Sequence, residues 1–254
     1  MNKVVPGPVE TQDLAEAPLP LLLLAGTACD ARLFEPMVKL LDVRPVQVVE
    51  MTSAETSAEM AGRILAEAPA RFSLLGFSLG GIVALEMMAQ APERIARLAL
   101  VNTTPRPDPK GNSRSRRATV AKARQEGMDS YVLDAWPELV TPANQNNAEL
   151  KALIVDMARR AGDDVLASQA EIAIHRADSR PRLADIAVPT LVLAGEDERI
   201  CPLDAHREIA DAVPGARFFT ISRAGHFAPL ENPAAVARHV REWLDWTDPN
   251  PNSG

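Results

Sequence analysis

Residues 72–91 read FSLLGFSLGGIVALEMMAQA: an apolar run, a serine flanked by glycines, and a second apolar run of helical length. The first part is apolar on both faces, as a strand covered from two sides must be. Residues 79–91 are apolar nearly all round, which suits a helix buried against a sheet. Glycines at 76, 80 and 81 permit a sharp turn between the two, and such a turn pushes the hydroxyl of Ser78 out beyond the strand end. Gly76-Phe77-Ser78-Leu79-Gly80 fits the pattern G-x-S-x-G. The backbone N–H of Leu79, at the helix start, is placed to donate to a developing oxyanion. The bland alternative is a glycine-rich turn with an incidental serine.

Five further short apolar runs recur along the chain: LLLLAG (21–26), VQVVEM (46–51), RLALVN (97–102), TLVLAG (190–195) and RFFTIS (217–222). Helical stretches separate them, among them 202–212 and 233–246, each opened by a proline suited to a first helical turn. Strand and helix in alternation predict an α/β fold with a doubly wound, mostly parallel sheet. The alternation stops between about 104 and 187. That stretch opens with the proline-rich TPRPDPKGNS, continues in helical pattern only, and is too long for a loop. It predicts a helical cap at 105–187, inserted into a core made of 18–104 and 188–247. The ends, 1–17 and 248–254, read as loose tails.

The net charge of −7 argues against a nucleic-acid-binding surface over the whole molecule. Two cysteines, Cys29 and Cys201, cannot build a disulfide framework, and no metal-ligand spacing is present. Both are expected to be free packing thiols, and the cytoplasm is the expected location. The run LPLLLLA (19–25) imitates the apolar part of an export signal. It is preceded by Glu10, Asp13 and Glu16 against only Lys3, the wrong charge for one, and it is too short to span a bilayer. No membrane partner is expected.

A serine needs a base to become a nucleophile at neutral pH. Of the four histidines, His206 and His239 lie in amphipathic stretches among charges and read as solvated, while His175 falls in the insertion. Only His226 directly follows a strand, in ISRAGHFAPLENP, where Gly225 lets the chain turn. The order serine, acid, histidine fits this base. The acid should follow TLVLAG, where Glu196, Asp197 and Glu198 stand together. Residue type alone leaves Asp197 and Glu198 open. The stretch 106–124 holds seven Lys or Arg against one Asp. It reads as a solvated start to the insertion, with steering of an anionic substrate as the alternative.

The segments LLLLAGTACDARLFEPM, LLGFSLGGIVALEMMAQAPERIARLALVNT, DSRPRLADIAVPTLVLAGEDERICP and PGARFFTISRAGHFAPLENP together resemble the α/β-hydrolase superfamily, in its small bacterial esterase and enol-lactonase-like branch. The likeness covers residues 19–246 and is specific for fold, weak for substrate. It implies a nucleophile at Ser78 and a base at His226. It also implies a second oxyanion donor in the loop after the first strand, where the family's His-Gly-x is replaced by Ala25-Gly26-Thr27, making the N–H of Thr27 the donor by position. In the family the acid stands three residues after the strand-closing glycine and four before a proline. Counting between Gly195 and Pro202 puts Glu198 there, whereas the usual residue type, aspartate, occurs one position early at Asp197. The family's N-terminal hairpin is expected to be reduced, since residues 1–18 leave little room for it.

These features predict a serine hydrolase that cleaves a carboxylic ester or related acyl bond through an acyl-enzyme, without a cofactor, on a small-molecule substrate. Lactones, thioesters and carbon–carbon bonds are alternatives on the same triad. A non-catalytic ligand sensor on the same fold is the alternative from another class.

Overall fold

The computed structural model describes residues 19–43 and 45–246. The expected tails and the N-terminal hairpin lie outside the described residues. Six strands, β1 (Leu21–Leu24), β2 (Val46–Val49), β3 (Phe72–Phe77), β4 (Ile95–Val101), β5 (Thr190–Gly195) and β6 (Arg217–Ile221), form one sheet in the order β2-β1-β3-β4-β5-β6. Every neighbouring pair is parallel. Each apolar run of the sequence supplies one strand. The inner strands β1, β3 and β5 are buried along their whole length, whereas the edges β2 and β6 are half-exposed and carry Gln47, Arg217 and Thr220. The Arg217 guanidinium of β6 stacks on Trp246, 4.1 Å above its ring.

Parallel strands need crossovers, and helices supply them. Ahead of β4 come α1 (Glu35–Leu41), α2 (Ser57–Glu67) and α3 (Leu79–Gln90). Between β4 and β5 lie α4 (Asn112–Glu126), α5 (Met128–Leu139) and α6 (Ala148–Ile174). Then follow α7 (Leu203–Ala212), the single turn α8 (Ala228–Glu231) and α9 (Pro233–Leu244). Successive strand residues point to opposite faces. Leu21, Leu23, Leu75 and Leu193 therefore meet Met37 of α1 and Val240 and Trp243 of α9. Leu22, Leu24, Leu74 and Val192 meet Ile64 of α2, Val83 of α3 and Ile209 of α7.

Local signals fix the helix starts. The Thr56 hydroxyl accepts the Glu59 N–H at 3.1 Å ahead of α2, and Asn232 caps α9 with Pro233 in its first turn. Helices α4, α5 and α6 pack on one another. Helix α6 bends at Gly162, whose φ of 79° is left-handed. No helix among the described residues is long and apolar enough to cross a membrane.

Candidate active site

Ser78 stands between the last residue of β3 and the first of α3, with φ 53° and ψ −116°. That backbone is strained for a residue with a side chain and is found where surrounding structure enforces it. Here the Ser78 N–H donates to Val101 O on β4 at 2.9 Å, and the Ser78 carbonyl accepts the Thr103 hydroxyl at 2.7 Å. Glycine is required beside it for close approach. A Cβ at Gly76 would collide with the Gly80 backbone, and one at Gly80 with the carbonyls of Leu24 and Ala25.

The loop after β6 carries His226, and the loop after β5 carries the acids. Glu196 N–H donates to Ile221 O and Asp197 N–H to Ala224 O, so the two loops run together. His226 Nε2 lies 3.0 Å from Ser78 Oγ, and its Nδ1 lies 2.7 Å from Glu198 Oε2. Phe77 and Phe227 flank the imidazole, with ring centroids at 5.2 and 5.9 Å. The histidine's own N–H donates to Leu139 O at the end of α5, at 3.0 Å.

Glu198 is buried, and four donors meet its carboxylate: the N–H groups of Ile200 (2.6 Å) and Cys201 (3.0 Å), the Asn102 amide and the His226 ring. Burial by itself would raise its pKa. The His226 charge and hydrogen bond, the Cys201 N–H and the Asn102 amide outweigh burial and hold it down at about 2. Asp197 is half-exposed, and the carboxylate that meets His226 is that of Glu198. Thr27 and Leu79 line the same cavity as Ser78 and His226.

Several residues with a place here had no reading in the sequence. Asn102 follows β4 at φ 48°, fully buried, and donates to Glu198 and to Gly225 O. Asparagine tolerates that left-handed conformation better than most residues, which is the signal that could have marked it. Gln169 of α6 accepts the Ala28 N–H at 2.8 Å and donates to Met51 O at 2.7 Å. It braces the loop that holds Thr27 through the neighbouring Ala28. Glu231 accepts the Gly225 N–H at 2.8 Å and ties the histidine loop to Thr141 and Asn144.

Two expectations are corrected. His206 and His239 are buried, not solvated, because β6 supplies aromatic partners: Phe218 stacks on His206 at 6.2 Å and Phe219 on His239 at 4.5 Å. His206 Nε2 accepts the Thr103 N–H at 3.0 Å, which leaves the proton on Nδ1, facing Pro202 O at 3.2 Å. Burial lowers the pKa of His206 and keeps it neutral. Cys29 and Cys201 are both buried and free; burial pushes Cys29 up to about 12, far from a reactive thiolate. Most of the basic stretch is paired: Arg106 with Asp204 and Glu208, Arg117 with Glu171, Lys122 with Asp134 and Arg124 with Asp163.

The cavity in front of Ser78 has a volume of about 190 Å³. Its floor is Phe77, Leu79 and Ile82, and its walls include Val132 and Leu139 of α5 and Ile154 and Ala158 of α6. Among the described residues, no group of three or more His, Cys, Asp or Glu is arranged to hold a metal ion.

Comparison with known proteins gives a consistent result. Residues 41–239 match the alpha/beta hydrolase family. A protein of Azorhizobium caulinodans named "Putative carbamate hydrolase RutD" is 30% identical over 229 residues, covering 82% of this chain and 84% of that protein. Other relatives of that name are matched over about two thirds of their own length. Among solved structures, a thermophilic esterase from Thermogutta terrifontis, with malate bound, superposes with a TM-score of 0.80 at 30% identity, over 89% of each chain. The enol-lactonase from Burkholderia xenovorans LB400 gives 0.78 at 26% identity, over 91% of this chain and 93% of that one. Since the family match runs through more than half of the sequence and the sheet is wound in the same way, the chain belongs to the α/β-hydrolases and is a hydrolytic enzyme.

Proposed function

We propose that this hydrolase cleaves small carboxylic esters, or a closely related acyl bond, through an acyl-enzyme on Ser78. The observation that carries this reading is the unbroken hydrogen-bonded line from Ser78 Oγ through both nitrogens of His226 to Glu198. Ser78 attacks the carbonyl carbon while His226 Nε2 takes its proton and then gives it to the departing alcohol. Water repeats the sequence to release the acid. Glu198 holds the imidazole in the tautomer with its proton on Nδ1 and stabilises the imidazolium that forms. Asp197, one residue away and half-exposed, is assigned no part in this relay. The N–H groups of Thr27 and Leu79 receive the oxyanion, the second from a helix N-terminus where the dipole favours negative charge.

Residues 105–187 act as a cap that shapes the pocket and selects the acyl group. The cavity, about 190 Å³, is below the roughly 300–1,000 Å³ of pockets for drug-sized ligands, which favours a small substrate. Two buried free thiols favour a reducing, cytoplasmic setting.

The test is a panel of small activated esters, carbamates, thioesters and lactones, combined with labelling by a serine-directed phosphonate. The expected result is a burst of alcohol from the esters and one equivalent of label on the peptide that contains Ser78. Stoichiometric label on another residue, or turnover without burst and label, overturns the acyl-enzyme. Turnover confined to carbamates or lactones keeps the mechanism and changes the substrate.

A further inference from the structure

The cavity in front of Ser78 is mainly apolar, and apart from His226 its wall carries two ionisable cations and no carboxylate. These are Arg116, from α4, and Arg176, just beyond α6. Both are anchored on the carboxylate of Asp108, which lies behind them. Arg116 Nε and Nη2 reach Asp108 at 3.0 and 2.8 Å, and Arg176 Nη1 reaches it at 2.9 Å.

The two arginines are used differently. Arg176, with a side chain 7% exposed, also donates to the carbonyls of Arg106 (2.8 Å), Ala173 (3.1 Å) and Pro107 (3.3 Å), which nearly exhausts its five N–H groups. Arg116, 33% exposed, spends its Nε edge on Asp108 and leaves Nη1 uncommitted. Guanidinium groups do not lose their protons, so two of them on one carboxylate leave the wall one positive charge in excess. Water can answer that charge at the 33% exposed Arg116, and so can an anionic ligand, whose hydrogen bonds to a guanidinium are charge-assisted. On the same wall stands Tyr131, the one tyrosine of the chain. Burial raises its pKa, so it keeps its proton and can donate.

We infer that Arg116 and Tyr131, with Arg176 behind them, form a carboxylate-binding subsite. The substrate then carries an ionised carboxylate in addition to the acyl bond presented to Ser78. Arg116 Nη1 and the Tyr131 hydroxyl donate to that carboxylate, while Arg176 adds charge from a fixed position. The cleavage step rests on the acyl-enzyme reading above; the binding step does not.

The experiment compares phenyl hemiglutarate with phenyl pentanoate, esters of matched length with and without the carboxylate. Binding of glutarate and of pentanoate is measured alongside by calorimetry. The expected result is a kcat/KM for the hemiglutarate at least about tenfold above that for the pentanoate, and tighter binding of glutarate than of pentanoate. Arg116→Gln should lower the ratio of the two kcat/KM values roughly 10- to 100-fold, the range for a lost charge-assisted hydrogen bond. Tyr131→Phe, which preserves the Asp108 anchor, should lower it by less, about fivefold. Equal rates for the two esters in the unmodified enzyme, or a ratio unchanged in both variants, overturns the subsite. If neither ester is cleaved, the ester-cleaving reading falls; glutarate binding that Arg116→Gln abolishes then still supports the subsite, and glutarate bound no better than pentanoate overturns it.

Discussion

Strand-end loops and inserted helices meet at one cavity and contribute to it in different ways. Ser78, Glu198 and His226 follow β3, β5 and β6, and main-chain geometry holds them there: a strained turn between glycines, two loops bonded to each other, and N–H groups aimed at a carboxylate. Helices α4 to α6 reach the same cavity through side chains such as Arg116, Val132 and Ile154. A reaction fixed by backbone has few substitutes, whereas a wall of side chains can be rewritten one residue at a time. The proposed chemistry and the proposed selectivity therefore stand on different kinds of structure. They are joined where Leu139 O accepts the His226 N–H, where Glu231 ties the histidine loop to Thr141 and Asn144, and where Gln169 accepts the Ala28 N–H.

The largest expected effect is on the backbone-held side. Ser78→Ala should abolish phosphonate labelling and lower ester turnover by several orders of magnitude, up to about the 10⁶-fold loss seen for members of coupled triads. Thermal stability should change little, because the hydroxyl contributes little packing. Rate assays, labelling and a melting curve on the same preparation check both halves. Turnover reduced only slightly would place the reacting group elsewhere and dissolve the distinction between the two regions.

Next in size is the acid. Glu198→Gln should cost on the order of 10⁴ in turnover, as loss of the orienting carboxylate does elsewhere, while Asp197→Asn should cost little. The reverse order would show that the turn reorganises by one residue in solution. Glu198 also sets a pH window. An unfolded glutamate takes its proton near 4.3, whereas the folded one is held at about 2. The stabilisation is therefore present above about pH 5 and is lost as pH falls toward 2. Glu198→Gln has no such titration, so its melting temperature should fall less steeply between about pH 5 and 2 than that of the unmodified enzyme. Parallel slopes would mean that Glu198 is not held low in the folded protein.

A smaller loss tests whether the inserted helices take part in the reaction geometry. Gln169→Leu removes the acceptor of the Ala28 N–H, in a loop where Ala28 itself holds φ at 54°. If Gln169 fixes the Thr27 donor, kcat should fall roughly tenfold with KM little changed, less than the 10²–10³ that removal of an oxyanion donor costs. A rise in KM alone would make Gln169 part of the pocket wall and sharpen the division between the regions.

Legibility in the sequence follows the same division. The inner strands were plain because burial on both faces leaves only apolar residues, as in LLLLAG and TLVLAG. At the helix-flanked β4 the strand begins two residues earlier than the apolar run suggested, since Ile95 and Ala96 directly follow a 3₁₀ turn. Ser78 and His226 stood out because each sits in a glycine-bearing turn after a strand. Glu198 and Asp197 were separable only by counting from Gly195 to Pro202; burial and four donors, which distinguish them physically, are tertiary facts. His206 and His239 were misread from charged neighbours in sequence. Their helical period was the better guide, since Ile209 lies three residues after His206, and Val236 three before His239, on the same buried faces. Gln169 and Arg176 left no local signal, because most of what they touch comes from distant parts of the chain, while Arg116, bonded to Asp108 eight residues before it, was not distinguishable from the other cations of 106–124.

The smallest expected effect concerns the basic stretch and separates recognition at the wall from attraction at a distance. Outside the cavity most of its cations are answered: Arg106 by Asp204 and Glu208, Arg117 by Glu171, Lys122 by Asp134, Arg124 by Asp163 and Asp164. Paired surface charges cast little field beyond the Debye length, about 10 Å at 0.1 M salt and 3 Å at 1 M. The chain as a whole is negative besides, at −7. Arg117→Gln combined with Arg124→Gln should therefore leave kcat/KM for phenyl hemiglutarate within about twofold of the unmodified enzyme at low salt. The advantage of the hemiglutarate over the pentanoate should persist in large part at 1 M salt, because a partly buried guanidinium is screened far less than an exposed one. Rates measured from 0.05 to 1 M salt, on both esters and both enzymes, decide the matter. An advantage that collapses with salt, and that the double variant also removes, would move the recognition of charge from Arg116 to the outer surface of α4. In that case the inserted helices would act on the substrate before it enters the cavity, and the wall would be left with shape alone.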